Sequence, residues 1–197
     1  MIRAMSLPKA PMIRRSDDEA RLVAEVCEAS PAVRSAAFAE LYSRYSSRLY
    51  RYLRSCVTND ADAEDLTAQV FTAVLENLHR YREQGGFAAW LFRIARNKTA
   101  DYYRRQRLQV SLDEAERHPG SNPDPLDTVQ LSESLEDLAC LLRRLAPDQT
   151  ELLRLRYAAD LSFEEIGKLL GRNPAAVKMA LHRLLQKLQA EWKQEHD

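Results

Sequence analysis

Glycine and long apolar runs are scarce here: five glycines occur in 197 residues, and nothing approaches the roughly 18 consecutive apolar residues that span a bilayer. A membrane-spanning helix is therefore excluded. The opening MIRAMSLPKAPMIRR has too few apolar residues for a secretory h-region, so we expect a cytoplasmic protein with no membrane insertion. The three cysteines, Cys27, Cys56 and Cys140, are odd in number, far apart and without CxxC or histidine spacing. A zinc site or redox pair is thus not expected, and buried free thiols are. Excess charge of one sign is also missing, since Lys+Arg and Asp+Glu each number 29, which argues against a simple basic nucleic-acid binder. Runs of alternating β-branched residues are absent too, and helical periodicity dominates, so the fold is expected to be all-α.

What is present is charge segregation. Between Arg93 and Arg107 stand Arg93, Arg96, Lys98, Arg104, Arg105 and Arg107 against Asp101 alone. From Leu108 to Asp137 the sign reverses, with Asp113, Glu114, Glu116, Asp124, Asp127, Glu133, Glu136 and Asp137 against Arg117. A second basic stretch, Arg172, Lys178, Arg183 and Lys187, contains no acid. Two basic blocks separated by an acidic one point to two binding surfaces joined by a strap.

Periodicity predicts helices over Asp18–Glu28, Ala32–Ser55, Asp60–Tyr81 and Phe87–Arg107, preceded by a mobile tail over residues 1–17 that carries Pro8 and Pro11. RHPGSNPDP, Arg117 to Pro125, collects turn-forming residues and marks a boundary. The expected organisation is a helical domain over 18–107, a flexible acidic linker over 108–131 and a second small helical domain over 132–197.

The second domain holds the clearest local signals, in LSFEEIGKLLGRNPAAVKMALHRLLQKL. Ser162 and Glu165 fit a capping box, Gly171 suits a left-handed C′ position, and Asn173 caps a helix whose first residue is Pro174. Ile166, Leu169 and Leu170 make one apolar face; Val177, Leu181, Leu184, Leu185 and Leu188 make another. With PDQTELLRLRY as a third helix, this is helix-turn-helix architecture. An ordinary three-helix bundle needs the same devices, but the short connection and basic second helix favour DNA binding. Ala175, Met179, His182, Arg183 and Gln186 lie opposite the stripe, with Arg172 and Lys178 nearby.

In WLFRIARNKTADYYRR the residues Trp90, Leu91, Ile94 and Ala95 share one arc, whereas Arg93, Arg96, Asn97 and Arg104 share another, bordered by Phe92 and Tyr103. The apolar arc is ordinary core. Rings beside guanidinium groups suit unstacked bases of single-stranded nucleic acid, with a solvated surface or a membrane-surface helix as the other readings. In DAEDLTAQVF the acids Asp62, Glu64 and Asp65 complement a helix start. No histidine, glycine-rich loop or nucleophile motif accompanies them, so neither an enzyme nor a catalytic residue, cofactor or metal is expected.

Together FAELYSRYSSRLYRYL, DAEDLTAQVF, WLFRIARNKTADYYRRQR and the helix-turn-helix segment, in this order, resemble bacterial sigma factors of the extracytoplasmic-function (ECF) group over about Phe38 to Leu188. The resemblance implies a region-two domain, a linker and a region-four domain. It implies that Asp62, Glu64, Asp65 and Gln69 dock on the β′ clamp helices of core RNA polymerase, with region four at the β flap. The Gly85–Gly86 loop and the helix carrying Arg93, Arg96, Asn97, Lys98, Tyr103, Arg104 and Arg105 would hold and melt the minus-ten promoter element. Arg172, Asn173, Ala175, Ala176, Lys178, Met179, His182 and Arg183 would face the minus-thirty-five element. The acidic linker would thread toward the RNA exit path or serve as a solvated tether, and an anti-sigma partner is implied. Thr67 and Ala68 stand where other relatives often have an apolar residue and glutamine, a tolerated variation. Met179 and Ala180 stand where many relatives carry a polar or basic pair, and Ala175 and Ala176 precede them, so side chains able to make bidentate base contacts are few. Distal recognition is therefore expected to lean on thymine methyls, backbone contacts and DNA shape. The competing expectation is a helix-turn-helix regulator that never contacts core polymerase.

Overall fold

The computed structural model describes residues 15–28, 30–81, 86–113 and 133–196. Every regular element among them is helical: α1 (Arg15–Glu28), α2 (Pro31–Cys56), α3 (Asp60–Asn77, followed by a 3-10 turn over Leu78–Arg80), α4 (Phe87–Asp113), α5 (Glu133–Arg143), α6 (Pro147–Leu153, continued by a π-helical turn over Arg154–Ala158), α7 (Phe163–Leu170) and α8 (Pro174–His196). The fold is all-α, with α1–α4 forming one lobe and α5–α8 the other. The expected N-terminal tail up to residue 14 and the linker from residue 114 onward lie outside the described residues. At both edges the helices reach further than expected. α1 begins at Arg15, and α4 runs past Arg107 to Asp113, because no proline or glycine interrupts the sequence between Phe87 and His118.

Each helix is set by its apolar spacing. α2 starts with Pro31 at its first turn, where the missing N–H costs nothing, and buries Leu41, Tyr45, Leu49, Tyr52, Leu53 and Cys56 along one side. The chain turns extended at Val57, and Asn59 then caps α3 by accepting from the Asp62 N–H. From α3 come Ala63, Leu66, Val70 and Val74; from α4 come Phe87, Ala88, Leu91, Phe92 and Ala95. Gly86, at φ +80°, provides the left-handed entry to α4.

The second lobe buries Ala139, Leu141, Leu181 and Leu184 within itself and shares the rest of its core with the first lobe. Leu152, Leu155, Ala159, Leu161, Ile166, Leu169 and Val177 belong to the same buried cluster as the α2 and α4 residues, with α7 packed on α4 and the π turn on α2. The cysteines correct the expectation of three buried thiols. Only Cys56 is buried, whereas Cys27 and Cys140 are exposed. Each sits beside residues that take the inward positions, Val23 and Val26 on α1 and Ala139 and Leu141 on α5. Burial pushes the Cys56 thiol up to about 11, which keeps it neutral and unreactive.

Candidate nucleic-acid and partner interfaces

The acidic start of α3 divides into a structural and an exposed part. Asn59 Nδ2 donates to Asp62 Oδ2 at 2.7 Å, and the same oxygen accepts from the Tyr102 hydroxyl at 2.6 Å. Gln106 Nε2 donates in turn to the Tyr102 oxygen at 2.7 Å. Burial, followed by the bond to Asp62, raises the Tyr102 phenol above its ordinary value. Asp62 therefore ties the beginning of α3 to α4. Glu64 and Asp65 are exposed, Gln69 Nε2 donates to Asp65 Oδ2 at 2.6 Å, and the face continues through exposed Ala68, Thr72 and Leu75. This stripe of acids and small or apolar residues is backed by buried Leu66, Val70 and Val74, a layout chemically suited to basic groups on a second surface.

On α4 the apolar arc is core, with Leu91 fully buried and Trp90 and Ile94 partly buried against it. Phe92 departs from the expected stacking position. It is fully buried and meets Tyr52 edge-on, 5.4 Å between ring centroids, because the inward stripe is wide enough to take Ala88, Leu91, Phe92 and Ala95 together. Tyr103 is half-buried, and its hydroxyl donates to the Cys56 carbonyl of α2. Its ring is held against the first lobe. Arg93, Asn97, Arg104 and Arg105 are exposed, while Lys98 is half-buried. Arg104 pairs with Asp101 at 2.9 Å.

Two of these arginines turn toward the second lobe. Arg96 Nε meets Glu151 Oε1 of α6 at 2.9 Å, and the same carboxylate oxygen accepts from the Tyr52 hydroxyl at 3.0 Å. Arg93 Nη2 donates to the Lys168 carbonyl of α7 at 3.3 Å. Farther along the seam Arg48 donates to the carbonyls of Ala159 and Asp160, at 2.8 and 2.7 Å, and Arg51 to that of Ala158 at 3.2 Å. Those carbonyls lie where the π turn ends and Asp160 adopts φ +51°, the end of a helix where acceptors are left without intrahelical donors. Sequence reasoning missed Arg48, Arg51, Tyr52 and Glu151; the only trace of them is that Arg48 and Arg51 flank inward-facing Leu49 and Tyr52.

The helix-turn-helix is built as its punctuation implied. Ser162 N–H donates to Glu165 Oε2 at 2.6 Å, and Glu165 N–H to Ser162 Oγ at 3.1 Å. Gly171 is left-handed at φ +65°, and Asn173 Oδ1 accepts from Ala175 N–H at 2.8 Å. A further glycine sets the turn: a Cβ at Gly167 would stand 2.7 Å from the Arg172 carbonyl oxygen and 3.3 Å from the Pro174 ring. Val177, Leu181 and Leu184 are buried, while Arg172, Asn173, Ala175, Ala176, Lys178, Met179, His182 and Arg183 are all exposed. α8 thus offers its whole outer face. Among the described residues no group of three or more His, Cys, Asp or Glu could hold a metal ion, and no helix is long and apolar enough to cross a membrane.

This layout has relatives. The chain matches the family models for sigma-70 region 2 over residues 41–109 and for sigma-70 region 4 over residues 135–188. It is 34% identical to the ECF RNA polymerase sigma factor BldN of Streptomyces coelicolor over 174 residues, 87% of this chain and 66% of BldN. It is likewise 34% identical to the ECF RNA polymerase sigma factor ShbA of Streptomyces griseus over 185 residues, 88% of this chain and 97% of ShbA. Among solved structures, CnrH in complex with the cytosolic domain of CnrY superposes with a TM-score of 0.63 at 25% identity, covering 90% of this chain and 98% of CnrH. The sigma factor RpoE of Bartonella quintana, bound to the anti-sigma factor NepR, gives 0.57 at 22% identity over 79% and 96% of the two chains and shares the fold. With region 2 and region 4 matched in order on two helical lobes, the chain belongs to the ECF group of the sigma-70 family, non-enzymatic factors that bind core RNA polymerase and direct promoter-specific initiation of transcription.

Proposed function

We propose a division of labour in which α3 holds polymerase, α4 opens the promoter and α8 reads the distal element. Glu64, Asp65 and Gln69 contact the β′ clamp helices, with Asp62 positioning them from beneath, while the second lobe rests at the β flap. Arg93, Arg96, Asn97, Lys98, Arg104 and Arg105, with Tyr103 supporting the helix, bind the phosphates and exposed bases of the minus-ten strand. Extruding a base costs a few kcal/mol, which stacking and charge-assisted phosphate contacts offset. α8 lies in the major groove at the minus-thirty-five element, with Arg172, Asn173, Lys178, His182 and Arg183 along the phosphates and Ala175, Ala176 and Met179 against thymine methyls. The domains are taken as 18–107 and 132–197, acting in the cytoplasm without cofactor or catalysis. CnrH was solved on the cytosolic domain of CnrY, and by that likeness a sequestering polypeptide is assigned to this chain too.

The observation that supports this reading best is the exposed acid stripe of α3, whose Glu64 and Asp65 have no role in the core behind them. Core-polymerase pull-down tests it. Charge reversal at Asp65 (Asp65→Arg) should abolish retention of a folded protein; undiminished retention would show that polymerase is held elsewhere than at α3, and only a wild-type chain that is not retained would leave the regulator that acts without polymerase.

A further inference from the structure

We infer that the second lobe is an internal competitor for the promoter strand, with the Glu151 carboxylate occupying Arg96 in place of a phosphate. The inference rests on the reading of α4 as the strand-binding helix. A guanidinium offers one fork of donors, and carboxylate and phosphate oxygens address that fork in the same way. With its charge already met by Glu151, Arg96 holds a phosphate far less well. Glu151 is well placed to win while the lobes are closed: it takes Arg96 Nε at 2.9 Å and the Tyr52 hydroxyl at 3.0 Å, and its side chain is only 18% exposed. Arg93, one turn earlier, is engaged by the Lys168 carbonyl.

Closure is secured away from the α4 face. Arg48 meets the two carbonyls of Ala159 and Asp160 at the negative end of a helix, where a cation is favoured. The bonds go to backbone atoms, and the buried cluster is continuous across the seam. Meanwhile Glu64 and Asp65 stay exposed in the same closed chain. The closed form can therefore dock through α3 while the N-terminal half of the α4 basic face is withheld.

The native thiols supply the test. Cys27 in the first lobe and Cys140 in the second are exposed, while Cys56 is buried, so nitroxides on the full-length chain report the interlobe distance by pulsed electron spin resonance. A fluorescein-labelled single-stranded oligodeoxynucleotide reports strand binding. Glu151→Gln and Arg48→Gln should both broaden and lengthen the distance distribution, and both should tighten strand binding by ~tenfold if the open form is about a tenth of the population. Arg48→Gln is the decisive variant. It removes a positive charge outside α4, so an Arg48 that merely contacted phosphate would make binding weaker. Unchanged distances in both variants, or an opened Arg48→Gln chain that binds no tighter, would overturn the inference. Adding Arg96→Gln to the Arg48→Gln chain separates the two failures. If that addition leaves strand affinity unchanged, the assignment of α4 has failed; if it lowers affinity in a chain that opening did not tighten, only the competitor role has.

Discussion

The two basic helices, α4 and α8, look alike in sequence and are used differently by the fold. α8 buries one narrow stripe and leaves every proposed DNA contact exposed. α4 buries a wider one and spends Arg93 and Arg96 on the second lobe. The contrast shows that positive charge on a helix measures capacity to bind nucleic acid, while availability is decided by what else packs there. On the proposed roles, duplex reading through α8 is open to the free chain, whereas strand capture through α4 waits on a change in the rest of the molecule.

The widest disturbance should come from the shared core that fixes this contrast. Leu155 is fully buried at the π turn, and Leu155→Ala should cost about 2–5 kcal/mol, seen as a lowered denaturant midpoint with both lobes affected. A cost confined to the second lobe would show that the lobes fold separately. Gly167→Ala should act on the α8 side. Its Cβ would press on the Arg172 carbonyl, a backbone atom that cannot swing aside, so a loss of about 1–3 kcal/mol is expected, with weakened duplex binding and an intact α3 surface. Thermal unfolding and a duplex titration report the two parts.

Smaller effects probe the DNA faces themselves. In the free chain Arg183→Ala should weaken duplex binding across all sequences and reduce the salt slope by about one, while Arg96→Ala should change it little. Dependence of a particular guanine on Arg183 in a footprint would contradict the thymine-methyl account of α8. The gentlest test concerns Glu19, which is 7% exposed and accepts from the Tyr45 hydroxyl. Burial raises its carboxyl above the ordinary 4.5; Glu165 of α7 pushes the same way, and Tyr45, Arg44 and Arg48 oppose. The folded chain thus holds this proton more tightly than the unfolded one, so the contribution is fully present below pH 4.5 and is lost as pH rises through the folded value. Denaturant midpoints measured from pH 4 upward should fall less steeply with pH in Glu19→Gln than in the wild type.

Local chemistry made much of this readable in advance. Ser162, Glu165, Gly171, Asn173 and Pro174 encode the helix-turn-helix within a single short stretch, and the apolar spacing of α2 and α3 encodes their buried sides. The resemblance to sigma factors came from four such stretches in register. What escaped was non-local. Glu151 and Arg96 are joined only by tertiary packing, and the carbonyls that receive Arg48 have no side-chain signature at all. Asp62 read as one of several equivalent acids because nothing in its neighbourhood announces Tyr102. Phe92 was misplaced since a helical wheel gives direction but not the width of the buried sector.

The most direct measurement is promoter opening by reconstituted polymerase, read as permanganate reactivity of minus-ten thymines alongside run-off transcription. With the wild-type chain these thymines should become reactive. With Arg96→Ala the holoenzyme should still assemble and occupy the promoter, the thymines should remain protected, and transcripts should drop sharply. Opening at the wild-type level with Arg96→Ala would contradict the assignment of α4 as the helix that captures the melted strand.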